Sequence, residues 1–134
     1  MGEKREVQNT VEGMIEEVWN QKRLDVLLDL YQPEAKVYLS SGVLEGSDRL
    51  RDEFIRPTQI AFPDLHHVIA DVVVEGDKVA MRYTGSGTHQ GDFDGKAATG
   101  RRLNYEGIVI FHMKDNRVAE VWNYSDWSEK FAEL

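Results

Sequence analysis

The sequence predicts an α+β domain in which three N-terminal helices pack in the concave face of a curved, mainly antiparallel sheet, with a short C-terminal helix. Three observations carry that reading. Apolar residues recur at close to helical spacing before Leu65 and at spacing two after it. Gly76-Asp77 and Lys114-Asp115-Asn116 then divide the alternating half into hairpins. The chain of 134 residues suits one domain spanning 1–134, with no repeats and no low-complexity segment.

The first helix is marked by Val7, Val11, Met14, Ile15, Val18 and Trp19, which fall on one helical face with Glu and Lys between them. Leu24 to Tyr31 reads as a second, shorter helix, closed by Pro33, which lacks an N–H and restricts the residue before it. Lys36 to Leu39 is a brief extended piece. Ser47 is then the expected N-cap of a third helix carrying Leu50, Phe54 and Ile55, which Pro57 ends or kinks.

In the second half, a two-residue loop at Gly76-Asp77 pairs Val74 with Val79, Val72 with Met81, Ala70 with Tyr83, Val68 with Gly85 and His66 with Gly87 on one apolar side. Glu75 opposite Lys78 and Asp71 opposite Arg82 support that register from the other side. The next hairpin joins Leu103–Met113 to Arg117–Tyr124. A two-residue turn would set Phe111 against Glu120; a three-residue loop with Asn116 left-handed, which we prefer, sets Phe111 against Ala119 and Val109 against Val121. Tyr105, Gly107, Val109 and Phe111 then share a face with Ala119, Val121 and Asn123. Asp126 is the expected cap of the terminal helix, with Glu129 completing a capping-box-like pattern.

Composition narrows the function. With 24 acidic against 16 basic side chains and a net charge of −8, the chain lacks the basic footprint that nucleic acid requires. No cysteine is present, so disulfides and thiolate chemistry are excluded. The charged start "MGEKREVQNT" has no apolar leader, and no apolar run approaches the ~18 residues of a membrane span. A cytoplasmic protein without membrane partners is expected.

The stretch "AFPDLHHVIADVVVEGDKVAMRYTGSGTHQGDF", followed by "GKAATGRRLNYEGIVIFHMKDNRVAEVWN", resembles the SnoaL-like polyketide cyclase family, a branch of the nuclear-transport-factor-2-like cone fold. The similarity runs from the first helix to Trp127. It implies a cone-shaped domain, usually a homodimer, with a hydrophobic pocket between the helices and the concave sheet. In the cyclase members an aspartate on the last strand is the general acid/base, helped by a histidine on the preceding strand. Asn123 stands at the aspartate's position and Val109 at the histidine's, so both groups are missing here. The family's Pro-Pro-Thr-Gly turn appears as Ala97-Ala98-Thr99-Gly100.

An amide exchanges no proton at ordinary pH, so Asn123 can only hold an oxyanion or satisfy a strand end. His66, placed on the apolar face, is the candidate base, with a hydrogen-bonded histidine at a strand end as the alternative. Asp64 is the carboxylate nearest the pocket rim, or an ordinary turn residue. His66 and His67 point to opposite faces and cannot chelate one ion; no His or carboxylate spacing completes a metal set, so neither metal nor cofactor is expected. Trp19, Tyr31, Phe54, Phe62, Tyr83, Tyr105 and Val109 are the expected lining of a pocket for a small hydrophobic or aromatic carbonyl compound. Gly85, Gly87 and Gly107 fall on the same inner face and are expected to leave volume vacant there. The outer face bearing Ile108, Ile110 and Trp122 is too apolar for solvent and is read as a homodimer interface. Two functions follow: enolate-type proton transfer, as in aldol cyclisation or isomerisation, or a non-catalytic binding or structural role.

Overall fold

The computed structural model describes residues 2–134, with side chains from Arg5 onward; Met1, part of the charged start considered above, lies outside them. Helix α1 (Gly2–Met14) runs directly into a π-helical turn, Ile15–Asn20. Val7, Val11, Met14 and Val18 are buried, and Ile15 and Trp19 pack against the core they form. A 3₁₀ turn, Leu24–Val26, leads into the short α2 (Leu27–Leu30).

The chain becomes extended at Tyr31, earlier than the sequence suggests, and β1 (Tyr31–Leu39) contains Pro33. Proline cannot donate to a ladder; the register of β1 slips between Tyr31 and Lys36, which accommodates it. The chain then folds back through Ser40 and Ser41 into β2 (Gly42–Glu45), a strand too short and too exposed to leave a period in the sequence.

Ser47 is not the cap of the next helix. Gly46, at φ 107°, occupies that boundary, a conformation side chains rarely adopt, and Ser47 is buried inside α3 (Ser47–Arg49). Nor does Pro57 end the helix. A π-helical turn, Leu50–Ile55, widens the backbone just before it, and α4 (Arg56–Ala61) continues beyond. Widening relieves the clash between a proline ring and the preceding turn, and the Thr58 hydroxyl donates to the Phe54 carbonyl at 2.7 Å.

Six strands form one sheet in the order β2-β1-β6-β5-β4-β3, antiparallel except where β1 runs parallel to β6. β3 (His66–Glu75) and β4 (Lys78–Thr88) pair near the turn as expected, with Glu75 opposite Lys78, Asp71 opposite Arg82 and Val72 opposite Met81. The register then shifts between Ile69 and Asp71, so Ala70 is a bulge. Beyond it Ile69 faces Tyr83, His67 faces Gly85 and His66 faces Ser86. A slip of one residue exchanges the two faces: His66 is exposed and His67 is turned inward.

The hairpin of β5 (Arg102–Lys114) and β6 (Arg117–Ser125) turns on two residues, Asp115 and Asn116, with φ of 53° and 58°. Both being left-handed, they make the primed turn that matches strand twist, in place of the three-residue loop. A shift between His112 and Met113 then sets Phe111 against Val121 and Val109 against Asn123. This displacement from the expected pairing is two residues, so Val121 and Asn123 still face inward, whereas Ala119 falls at the bulge and Val118 is buried opposite Met113 in its place.

Asp126 sits at the N-terminal boundary of α5 (Trp127–Ala132) but makes no side-chain cap. Its carboxylate accepts the Glu106 backbone N–H at 2.8 Å while its own N–H donates to the Glu106 carbonyl at 3.1 Å, so it prolongs the β5–β6 ladder. No capping box with Glu129 forms. Among the described residues no helix is long and apolar enough to cross a membrane.

Candidate functional site

Between the helices and the concave sheet lies a cavity of about 990 Å³. Both π-helical turns border it, the first through Ile15 and Trp19, the second through Leu50, Phe54 and Ile55. Tyr31, Val37, Val109, Phe111 and Val121 supply the apolar floor. Ser40, Asp52, Asp92 and Asp94 are at its borders.

The polar end is built by a reciprocal exchange across β4 and β5. Tyr83 lies opposite Gly107, and Gly85 lies opposite Tyr105. A Cβ at Gly85 would meet the Tyr105 ring, and one at Gly107 would come within 2.8 Å of the Tyr83 hydroxyl. These glycines therefore leave no vacancy: each lets a tyrosine lie flat over the sheet. A Cβ at Gly87 would press on Leu65 and on Phe62.

The two tyrosines anchor two polar pairs. The Tyr83 hydroxyl donates to Asn123 Oδ1 at 2.7 Å, leaving the Asn123 Nδ2 without a partner among the described residues. The Tyr105 hydroxyl shares a hydrogen bond with His67 Nε2. The His67 ring stands edge-on to Trp19 with centroids 5.0 Å apart and to Tyr83 at 5.5 Å. His67, Tyr83 and Tyr105 are each only 8 % exposed. Burial, aided by the neighbouring His66, lowers His67 to a pKa of about 4, so its imidazole is neutral at pH 7. Burial raises both tyrosines above their ordinary value, Tyr105 strongly, so both remain protonated donors. His67 Nδ1 is buried and unpaired.

Of the residues singled out from the sequence, the fold brings Trp19, Tyr31, Phe54, Tyr83, Tyr105, Val109 and Asn123 to the cavity wall. Phe62 is not there. It is fully buried behind the wall, stacked on His89 at 5.2 Å and edge-on to Phe93 and Trp127, which themselves line the cavity. His66 is on the outer face because of the Ala70 bulge. Asp64 accepts the Thr88 N–H at 2.7 Å and the Thr88 hydroxyl at 2.8 Å, tying the start of β3 to the end of β4. Burial opposes its ionisation, but those bonds, together with the nearby Arg102, hold its carboxyl below the ordinary value. It is an exposed structural tie away from the cavity. His67 is the residue that sequence reasoning passed over; an adjacent His pair guarantees one inward imidazole, but a bulge decides which. Among the described residues no group of three or more His, Asp or Glu could hold a metal ion.

A model of the SnoaL-like polyketide cyclase family matches residues 9–134. No curated protein matches the chain. Among solved structures, a candidate SnoaL-like polyketide cyclase from Jannaschia sp. CCS1 superposes with a TM-score of 0.90 at 23% identity, covering 98% of this chain and 93% of that one. TsrD from Streptomyces laurentii gives 0.83 at 29% identity, with 97% of each chain covered. IdmH from Streptomyces antibioticus, a candidate polyketide cyclase, gives 0.77 at 27% identity over 96% of this chain and 97% of its own.

Proposed function

Since the chain belongs to the SnoaL-like polyketide cyclase family, we propose that its cavity binds a small hydrophobic or aromatic carbonyl compound and catalyses enolate-type proton transfer, as in aldol cyclisation or isomerisation. Removing a proton beside a carbonyl places negative charge on the carbonyl oxygen. Neutral donors fixed in a dry site stabilise that charge without having to reorganise. Asn123 Nδ2 and the Tyr105 hydroxyl are such donors. The Tyr105 hydroxyl turns its single proton from His67 Nε2 to the oxyanion, which frees the Nε2 lone pair to take the α-proton and later return it; His67 thus takes the part that the sequence had assigned to His66 or Asp64. The observation that carries the reading is the His67–Tyr105 hydrogen bond at the buried polar end of a cavity whose floor is apolar.

The test is hydrogen exchange at the α-carbon of a panel of aromatic ketones and 1,3-diketones in D₂O, followed by NMR. Wild-type protein accelerates exchange for at least one of them. Tyr105→Phe and Asn123→Ala each slow it by about 10²–10³-fold, the range for losing one oxyanion donor. With His67 titrating at about 4, the rate shows no break near pH 6.5. Exchange at the buffer rate throughout, with wild-type protein present, overturns the proposal.

A second reading, non-catalytic binding, is favoured by two features: the His67 Nδ1 is closed off from water, and Asn123 stands where a carboxylate would be the base. It predicts saturable binding of the same compounds with no accelerated exchange. Under either reading we propose a cytoplasmic homodimer that associates through the outer sheet face. Val43, Tyr38, Trp122, Ile110, Ala80 and Val73 are cross-strand neighbours in succession and draw one apolar row across all six strands. Val43 and Val73 are 58% and 63% exposed.

A further inference from the structure

We infer that Asn20 is a positioning residue that selects which of the two adjacent histidines enters the cavity; this rests on the reading in which His67 exchanges the substrate's proton. Asn20 is the last residue of the π-helical turn that follows α1. Its carboxamide meets the backbone of His67 twice. The His67 N–H donates to Asn20 Oδ1 at 2.7 Å, and Asn20 Nδ2 donates to the His67 carbonyl at 2.9 Å. The same Nδ2 lies 3.0 Å from Glu16 Oε1, which orients the amide.

The location gives these bonds their force. β3 is at the edge of the sheet, so it has no strand on its outer side to fix its register there. An edge residue whose N–H and C=O face outward is free to slip unless something pairs them. The Asn20 amide is a one-residue substitute for the missing strand. It acts three residues from Ala70, where the register shifts by one. In the unbulged register His66 would face inward opposite Gly87, and His67 would face out. Asn20 holds the bulged alternative, while its neighbour Trp19 stands edge-on to the imidazole so selected. The buried Gln59 keeps that turn in place by donating to the Val18 carbonyl at 2.9 Å. The titratable groups around His67 are Tyr83 and Tyr105 from β4 and β5, His66 beside it in the chain, and Glu16 from the turn that carries Asn20.

The experiment is a pH titration of the four histidines by imidazole NMR in wild type, Asn20→Ala and Asn20→Asp, alongside the α-proton exchange assay. In wild type the resonance assigned to His67 reports an imidazole that stays neutral until about pH 4. In Asn20→Ala that resonance moves up into the ordinary histidine range, and kcat for exchange falls by about 100-fold with KM little changed, as expected when a reacting group is misplaced. Asn20→Asp keeps the acceptor for the His67 N–H, and it lies between the two in both measurements; it also carries the test should Asn20→Ala not fold. An unaltered low titration in folded variants overturns the inference, whatever happens to exchange. A shifted titration, with wild type catalysing no exchange, leaves Asn20 as the selector of the inward histidine and rejects the proton-transfer reading instead.

Discussion

His67 makes the sharpest prediction at the scale of a single residue. An unfolded histidine titrates near 6.5, whereas burial holds this one at about 4. Between those values the unfolded chain binds more protons than the folded one, so the native state loses stability as pH falls. The loss begins below about 6.5, is complete below about 4, and amounts to roughly 3 kcal/mol. Above pH 6.5 this contribution to the pH dependence vanishes. Urea unfolding of wild type and His67→Phe between pH 7 and 4 measures it as the excess slope of the wild type; parallel curves would exclude a buried neutral His67. Asn123 belongs to the same scale. Its side-chain chemistry was legible directly, because no environment turns an amide into a base. Its partner was not: Tyr83 reaches it only because Gly107 leaves room for a ring on the neighbouring strand.

Elements succeed or fail here according to whether their determinants are local. The stripe from Val7 to Trp19 was legible because burial at helical spacing is a property of one segment. The cap at Asp126 illustrates the opposite case. An acid before an apolar turn is a sound local cap signal, but the Glu106 N–H, which is distant in sequence, claims the carboxylate first. Asp126→Ala should therefore destabilise the protein by about 1 kcal/mol through loss of that hydrogen bond. Ligand affinity should be unchanged, because Asp126 is not among the cavity-lining residues. Hydrogen exchange at the Glu106 amide separates the explanations: it accelerates if the ladder is what is lost, and stays slow if α5 alone frays. Pro57 is a similar case, since its neighbours supply a widened turn that no proline rule anticipates.

At the scale of the whole molecule, the sheet has two unlike faces. The concave face carries the cavity, and the convex face carries the apolar row in which Trp122 stacks on Tyr38 with ring centroids 5.0 Å apart. Ile108 and Tyr124 beside it are 51% and 68% exposed. If that face joins two copies, wild type elutes as a dimer at micromolar concentration in size-exclusion chromatography with light scattering. Ile108→Lys, together with Trp122→Glu, then yields a folded monomer, because a charge buried at an interface without a partner is strongly unfavourable. A monomeric wild type removes the dimer from the proposal.

The sequence by itself determined the α+β class, the family resemblance, the inward set on β5 and the absence of an acid at Asn123. Each depends on periodicity or residue chemistry, and an error of two residues in pairing leaves a strand's faces unchanged. Only the tertiary structure decided that His67 enters the cavity, that Phe62 does not, and that Asp64 ties two strands together. Those outcomes depend on an odd-numbered slip at an edge strand and on contacts between residues far apart in the chain. A slip of one residue reverses every side chain beyond it, and the side chain holding it in place here, Asn20, is 47 residues away from His67 along the chain.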